Sequence, residues 1–436
     1  MSENRQTKKM RLKNSILLII LLLNIIFGCK TFEEKDIHQK IENDTEQLFN
    51  KIVEIRRDFH ENPELAGNEK RTAEIIAKHL SNLGLEVKTG IAGYGVIGIL
   101  KGEKEGKNIA WRADMDALPN DFPDEVPFKS KFKGIQHGCG HDVHMAIGLG
   151  IAEVLSKNKE SIKGTIYFIF QPEEEPFLGA KNMASSSLFS ELNIDEMYAL
   201  HVTALPVGQI MVKPNEMYAY QKLIQIKFDD DFSKEDAEIL YNQIKDKTLR
   251  KKEGGNPWEI PLAFDSVIGL GNPNTIFKDY FFMEENFVIE ENENQFSIKT
   301  FAYETNKSNL PNILPRIERI INNSEYKDKF IATSYIMENP TVLNDEGLTD
   351  KAIKSLNSIY GNETIVLDYG QIPYFNDDFC YFQQKVPGVY FLLGGSNLEK
   401  GIVAMNHAPN FRVDEECMKI GIKSFSSLIL ERTKND

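Results

Sequence analysis

Apolar residues recur every three or four positions from about Thr45 to Leu83: Leu48, Ile52, Ile55 and Phe59, then Ile75, Ile76 and Leu80. That period lays one apolar stripe along a helix, so the segment is predicted to be helical. Short continuous apolar runs follow, VIGIL (96–100), NIAWRADM (108–115), TIYFIFQ (165–171) and MYALHV (197–202), with a helix expected from Val143 to Leu155. Buried strands alternating with helices imply an α/β domain, a mostly parallel sheet with helices on both faces. In such sheets functional groups collect beyond the carboxyl ends of the strands.

The texture changes near Met211. The alternating KLIQIKF (222–228) leads into SKEDAEILYNQIKDK, where Ser233 is placed to cap a helix, and two long strands near 279–304 and a helix ending near Asn323 follow. The first texture returns with AIKSLNSIY, VPGVYFLLG and GIKSFSSLILE. The chain therefore reads as one α/β domain, residues 48–212 and 325–436, interrupted by a small α+β, ferredoxin-like domain over 213–324.

The beginning of the chain has another character. Arg5, Lys8, Lys9, Arg11 and Lys13 precede an apolar run from Ile16 to Phe27, which is short of the ~20 residues that span a bilayer. The run closes on Ile26, Phe27, Gly28 and Cys29, which resembles a bacterial lipobox. On that reading residues 1–28 are a signal peptide, Cys29 takes the lipid, and residues 29–47 are a polar tether on which His38 is solvated. The protein would then sit in a bacterial cell envelope, touching the membrane through its N-terminal lipid only. An ordinary signal peptide or an uncleaved anchor is the alternative.

Composition narrows the functions. The 436 residues include 65 acidic and 51 basic side chains, a net charge of −14. Without residues 1–28, which hold five basic residues and one acidic one, 46 stand against 64, or −18. Such a surface repels phosphate backbones and argues against nucleic-acid binding. The four cysteines are too few and too scattered for a disulfide framework. Of the eight histidines, three fall between positions 137 and 144.

The chemistry-bearing residues stand where strands end or helices begin. WRADMDALP ends a strand with Asp114 and Asp116. QHGCGHDVH (136–144) sets His137, Cys139, His141 and His144 in a loop loosened by Gly138 and Gly140. Thiolate and imidazole ligate zinc and similar ions, although a helix-capping loop with incidental histidines has the same spelling. TIYFIFQPEEE closes a buried strand with Glu173, Glu174 and Glu175. Adjacent carboxylates repel unless a proton or a cation sits among them, which fits a metal plus a general base, or else a solvated acidic loop. His201 ends another strand, and His407 stands ahead of the C-terminal helix.

Taken in order, RADMDALP, HGCGHDVH, FQPEEE, LHV, DDF, VPGVYFLLG and NHAPNFRVDEE resemble the dinuclear-metal aminoacylase and carboxypeptidase superfamily. The match is to its amidohydrolase branch, which contains hippurate hydrolases, auxin-conjugate hydrolases and N-acetyldiaminopimelate deacetylases. It covers about residues 50–212 and 325–432. The resemblance implies two divalent ions, zinc or manganese with cobalt and nickel as alternatives, held by Cys139, His141, Glu175, His201 and His407. It implies Glu174 as the general base that activates water, and Asp114, Asp116 and His144 as supports for the ligands. The expected activity is amide-bond hydrolysis of a small-molecule N-acyl amino acid or related conjugate, with the inserted domain as a lid or homodimer contact. The alternative is a catalytically weak relative that acts as a metal-containing, ligand-binding lipoprotein.

The chain departs from this pattern in the inserted domain. The family's glycine-rich stretch with its histidine is absent, and no histidine lies between His201 and His407. Lys299 in SIKTF stands where the family carries an arginine, keeping the charge without the bidentate fork. Glu173, Val143 and Asp377 are smaller departures.

Overall fold

A computed structural model describes residues 37–229, 231–292 and 295–434. The run Ile16–Phe27 and Cys29 lie outside them.

The main sheet has eight strands. In spatial order they are Glu86–Ile91, Gly95–Lys101, Lys163–Gln171, Lys104–Asp114, Glu196–Pro206, Gly388–Ser396, Ile210–Val212 and Ile365–Leu367. The four from Lys163–Gln171 to Gly388–Ser396 run parallel, and antiparallel pairings enter on either side. Alternate side chains along these strands feed two cores. Trp111, Phe168, Phe170, Tyr198 and Phe391 turn to one face, with the helices 37–61, His141–Lys157 and Glu416–Arg432. Ala110, Tyr167, Ile169, Met197 and Tyr390 turn to the other, with the short helices Gly179–Ala184 and Cys380–Gln383. Phe425 stands 5.0 Å, centroid to centroid, from both Trp111 and Phe391. Such ring pairs each stabilise by about 0.5–1.5 kcal/mol beyond burial.

The helix His141–Lys157 is buried from His141 through Leu155. Because it is covered on all sides, its sequence HDVHMAIGLGIAEVL carries almost no polar face after its first turn. Its first turn opens at the carboxyl edge of the parallel strands, where Asp114, Gln171 and His201 also emerge.

The second sheet is antiparallel, in the order Val288–Asn292, Gln295–Glu304, Tyr220–Phe228, Phe330–Met337, with Phe281–Met283 also paired to Gln295–Glu304. The helices Lys234–Thr248 and Ile313–Asn322 share one apolar cluster with it. Ser233 caps the first of these, accepting the Asp236 N–H at 3.1 Å. Tyr220–Phe228 alternates buried and half-buried positions along its whole length, as its spelling predicts.

Two boundaries differ from expectation. The strand Phe330–Met337 pairs with Tyr220–Phe228, so the second sheet continues past residue 324. Residues 37–47 are helix, not tether. Ile41 and Thr45 are fully buried there, while Lys40 and Glu46 are exposed. His38 is likewise engaged, with Nδ1 at 3.0 Å from the Ser427 hydroxyl and Nε2 at 3.1 Å from Glu431.

Candidate metal centre

Four chain segments meet at the carboxyl edge of the sheet. Gly140, the residue before the helix His141–Lys157, has φ +101°, and a Cβ there would lie 2.4 Å from Val202 Cγ1. Only glycine fits so close an approach in a left-handed conformation. The result is that Cys139 lies beside the His201 strand. Cys139 Sγ stands 3.3 Å from His201 Nε2 and 3.1 Å from His407 Nε2, and His407 Nε2 is 3.3 Å from Glu175 Oε1. His141 Nε2 is 3.8 Å from Glu175 Oε1 and 3.8 Å from Glu174 Oε2. Cys139, His141, Glu174, Glu175, His201 and His407, named from the sequence, thus converge.

The imidazoles are aimed by their other nitrogens. His141 Nδ1 bonds the Asp116 carbonyl oxygen at 2.7 Å, and His201 Nδ1 bonds the Val202 carbonyl oxygen at 2.8 Å. Because Nδ1 is the donor in those bonds, it is Nε2 of each ring that faces the centre. His144 is different: its Nδ1 lies 2.6 Å from Asp114 Oδ1 and its Nε2 accepts the Val202 N–H at 2.9 Å. Both nitrogens are spent, so His144 ties Asp114 to the His201 strand. His137 is buried, neither ring nitrogen has a hydrogen-bond partner, and burial lowers its pKa to about 3.

Asp116 organises the glutamates. Its two carboxylate oxygens accept the backbone N–H groups of Glu174 and Glu175, each at 3.0 Å, while its carbonyl holds His141. Glu173 enters this turn with φ +53°, and its N–H is bound by the buried Glu69 carboxylate at 2.8 Å. From below, the Asp378 N–H points at Glu174 Oε1 at 3.4 Å. Asp378 itself accepts from Gln171 and Arg112. Arg112 is wholly buried and bonds Asp114 at 2.6 Å, Asp377 at 3.0 Å and Asp378 at 2.9 Å. Sequence reasoning passed over Arg112 and Gln171, and saw Asp377 only as a departure. Their signal is position, two residues before Asp114 and two before Glu173.

The electrostatics of this set favour a bound cation. Burial, then the charges of Asp377 and Glu175, holds the Glu174 carboxyl well above its usual range. Burial and the Glu175 charge hold the Cys139 thiol up in the same way. Burial opposes charge on His141, but Asp114 and Asp116 outweigh it and push the imidazole up to about 10. One buried guanidinium faces several carboxylates, and the excess draws in positive charge. His141 Nε2 and Glu175 Oε1 are buried without hydrogen-bond partners and lie among donors within 4.8 Å of one another. Thiolate, imidazole and carboxylate are the donor types of zinc and its neighbours. The five expected ligands therefore fit divalent metal.

A cavity of about 460 Å³ opens from this cluster, lined at its catalytic end by Cys139, Glu174, Glu175, His201 and His407. Its walls include Ile260, Phe264 and Leu270, from a segment between Leu249 and Tyr280 whose only regular element is the 3₁₀ turn Ile260–Phe264. That segment has no hydrophobic period, and sequence reasoning assigned it no role. Lys299 does not line the cavity; it pairs across strands with Glu290 at 2.6 Å.

Residues 110–431 match the profile of peptidase family M20/M25/M40. A thermostable carboxypeptidase of Saccharolobus solfataricus is 32% identical over 91% of this chain and 99% of its own. N-acetylcysteine deacetylase of Bacillus subtilis is 28% identical over 88% and 98%. Among solved structures, a Bacillus subtilis protein described as a dinuclear metal-binding peptidase superposes with a TM-score of 0.70. It is 24% identical over 89% of this chain and 99% of its own.

Proposed function

The chain belongs to peptidase family M20/M25/M40, and from that footing we propose that it hydrolyses the amide bond of N-acyl amino acids or related small conjugates. Cys139, His141, Glu175, His201 and His407 would hold two divalent ions. When bound, these supply Lewis acidity to polarise the scissile carbonyl and to make water more acidic. Cys139 leans the choice toward zinc, with manganese next.

The observation that carries the reading is the setting of Glu174. Its carboxyl lines the inner end of the cavity, 3.8 Å from His141 Nε2 and 3.4 Å from the Asp378 N–H, while its backbone N–H is bound by Asp116. In that position it takes a proton from the attacking water and returns it to the leaving nitrogen.

Glu174→Gln tests this. General acid–base groups are worth about 10²–10⁴-fold, so kcat on a panel of N-acyl amino acids should fall by that much with metal content unchanged. Equal rates refute the assignment. Metal-loaded wild-type protein that turns over none of the panel would favour the ligand-binding alternative. We also propose a homodimer through the second sheet, and lipid attachment at Cys29.

A further inference from the structure

The cavity wall decides which groups can flank the scissile amide. From the catalytic end the space runs between Ile260, Phe264 and Leu270 on one side and Ile372, Tyr374 and Phe375 on the other. Its volume, about 460 Å³, is that of a small-molecule site. Among the described residues that line it, none is lysine or arginine.

Basic side chains of the second sheet and beneath the site are engaged elsewhere. Lys299 is paired with Glu290 at 2.6 Å, Lys222 with Glu338 at 3.2 Å, and Arg112 lies beneath the floor among Asp114, Asp377 and Asp378. The polar groups of the wall are neutral dipoles. Gln221 donates to the Tyr303 hydroxyl at 3.3 Å. Asn406 donates to the Cys139 and Val202 carbonyls, which leaves its buried Oδ1 without a partner. An amide of this kind carries no positive charge. It cannot offset a carboxylate, which on this wall would lose its water without gaining a cation.

Resting on the amide-hydrolase reading, we propose that the cavity takes apolar, uncharged groups: an aromatic or long aliphatic acyl joined to an amine that bears no free carboxylate. This narrows the substrate to the conjugate side of the range. The segment that carries Ile260, Phe264 and Leu270 is the specificity element.

The test is a matched pair, N-benzoyl-phenethylamine and N-benzoyl-phenylalanine, which differ by one carboxylate, given to the metal-loaded full chain. Released amine is followed by chromatography. The uncharged compound should exceed the acid in kcat/KM by about tenfold or more, and acetyl in place of benzoyl should lower both. An acid turned over as well or better overturns the proposal. Turnover of neither compound refutes the hydrolase reading instead. Calorimetric binding of the same pair then decides the cavity's preference, and an acid that binds as tightly overturns it. Phe264→Arg adds the missing cation at a half-buried position and should shift the kcat/KM ratio toward the acid by about tenfold. Ile260→Arg serves if that variant does not fold, and a ratio unchanged in a folded variant also counts against the proposal.

Discussion

Asp116 is the residue on which the ligand geometry turns, and Asp116→Asn isolates its role with almost no change in volume. The aspartate is buried, and its two oxygens accept the N–H groups of Glu174 and Glu175 at 3.0 Å each. Asparagine keeps one acceptor and sets an NH₂ group against the other N–H. One charge-assisted bond is lost, about 1.5–3 kcal/mol, and the opposed donors push the turn away. The carbonyl that orients His141 is backbone and survives. The damage should therefore fall on Glu175 and Glu174. Support of this kind is worth about 10–100-fold in metal affinity, equivalent to about 1.4–2.8 kcal/mol. The assay is competition with a calibrated chelator, followed by kcat at saturating metal, with circular dichroism to establish the folded fraction. Weaker metal binding in a folded protein, with kcat still reduced at saturation, is the expected result. Wild-type affinity and wild-type kcat together would refute the idea that Asp116 holds the glutamates.

Three further expectations can be measured. Gly140→Ala should cost about 2–5 kcal/mol, since it adds left-handed strain to a Cβ overlap with Val202; an unchanged melting temperature would contradict this. The Glu153 carboxyl is held down to about 2 from 4.5, foremost by its hydrogen bond to His79, against burial and with help from Lys51. Its folded-state pKa is depressed, so its contribution is complete above about pH 4.5 and disappears as pH falls toward 2. Denaturant titrations should show wild type losing stability over that window relative to Glu153→Gln, and parallel pH profiles would count against it. Cys29→Ser should move the protein from the membrane to the soluble fraction of cells and abolish incorporation of labelled fatty acid, and retention of the label would exclude lipid attachment at Cys29.

The convergence of these side chains was legible from the order of several short motifs, although His201 lies inside its strand, Glu196–Pro206, rather than at its end, and His407 lies in a loop ahead of Glu416–Arg432. His144 shows the limit of that logic. It has the same letter as His141 and lies one turn along the same helix, yet both its nitrogens are used by Asp114 and Val202. Which histidine keeps a free nitrogen is decided by partners 30 and 58 residues away. Arg112 was illegible for a similar reason, since Asp377 and Asp378 reach it across 265 and 266 residues with no period to announce the meeting. The start of the first helix was missed because the density of charge in KTFEEKDIHQKIEND hid a four-residue step from Ile37 to Ile41 to Thr45. Burial of Thr45, and of Ile41 in the apolar cluster that also takes in the C-terminal helix, outweighs that composition. The segment between Leu249 and Tyr280 offered no pattern because its side chains answer to a cavity rather than to a repeating backbone.

The early start of that first helix sets a leash. Seven residues, 30–36, separate Cys29 from the first described turn. At about 3.3–3.6 Å per residue even a taut chain reaches only about 25–30 Å. If Cys29 carries lipid, the hydrolase cannot roam a wide shell of solvent but must work within about one domain's width of the bilayer. The amphiphilic amides that partition to that surface would then be its nearest supply.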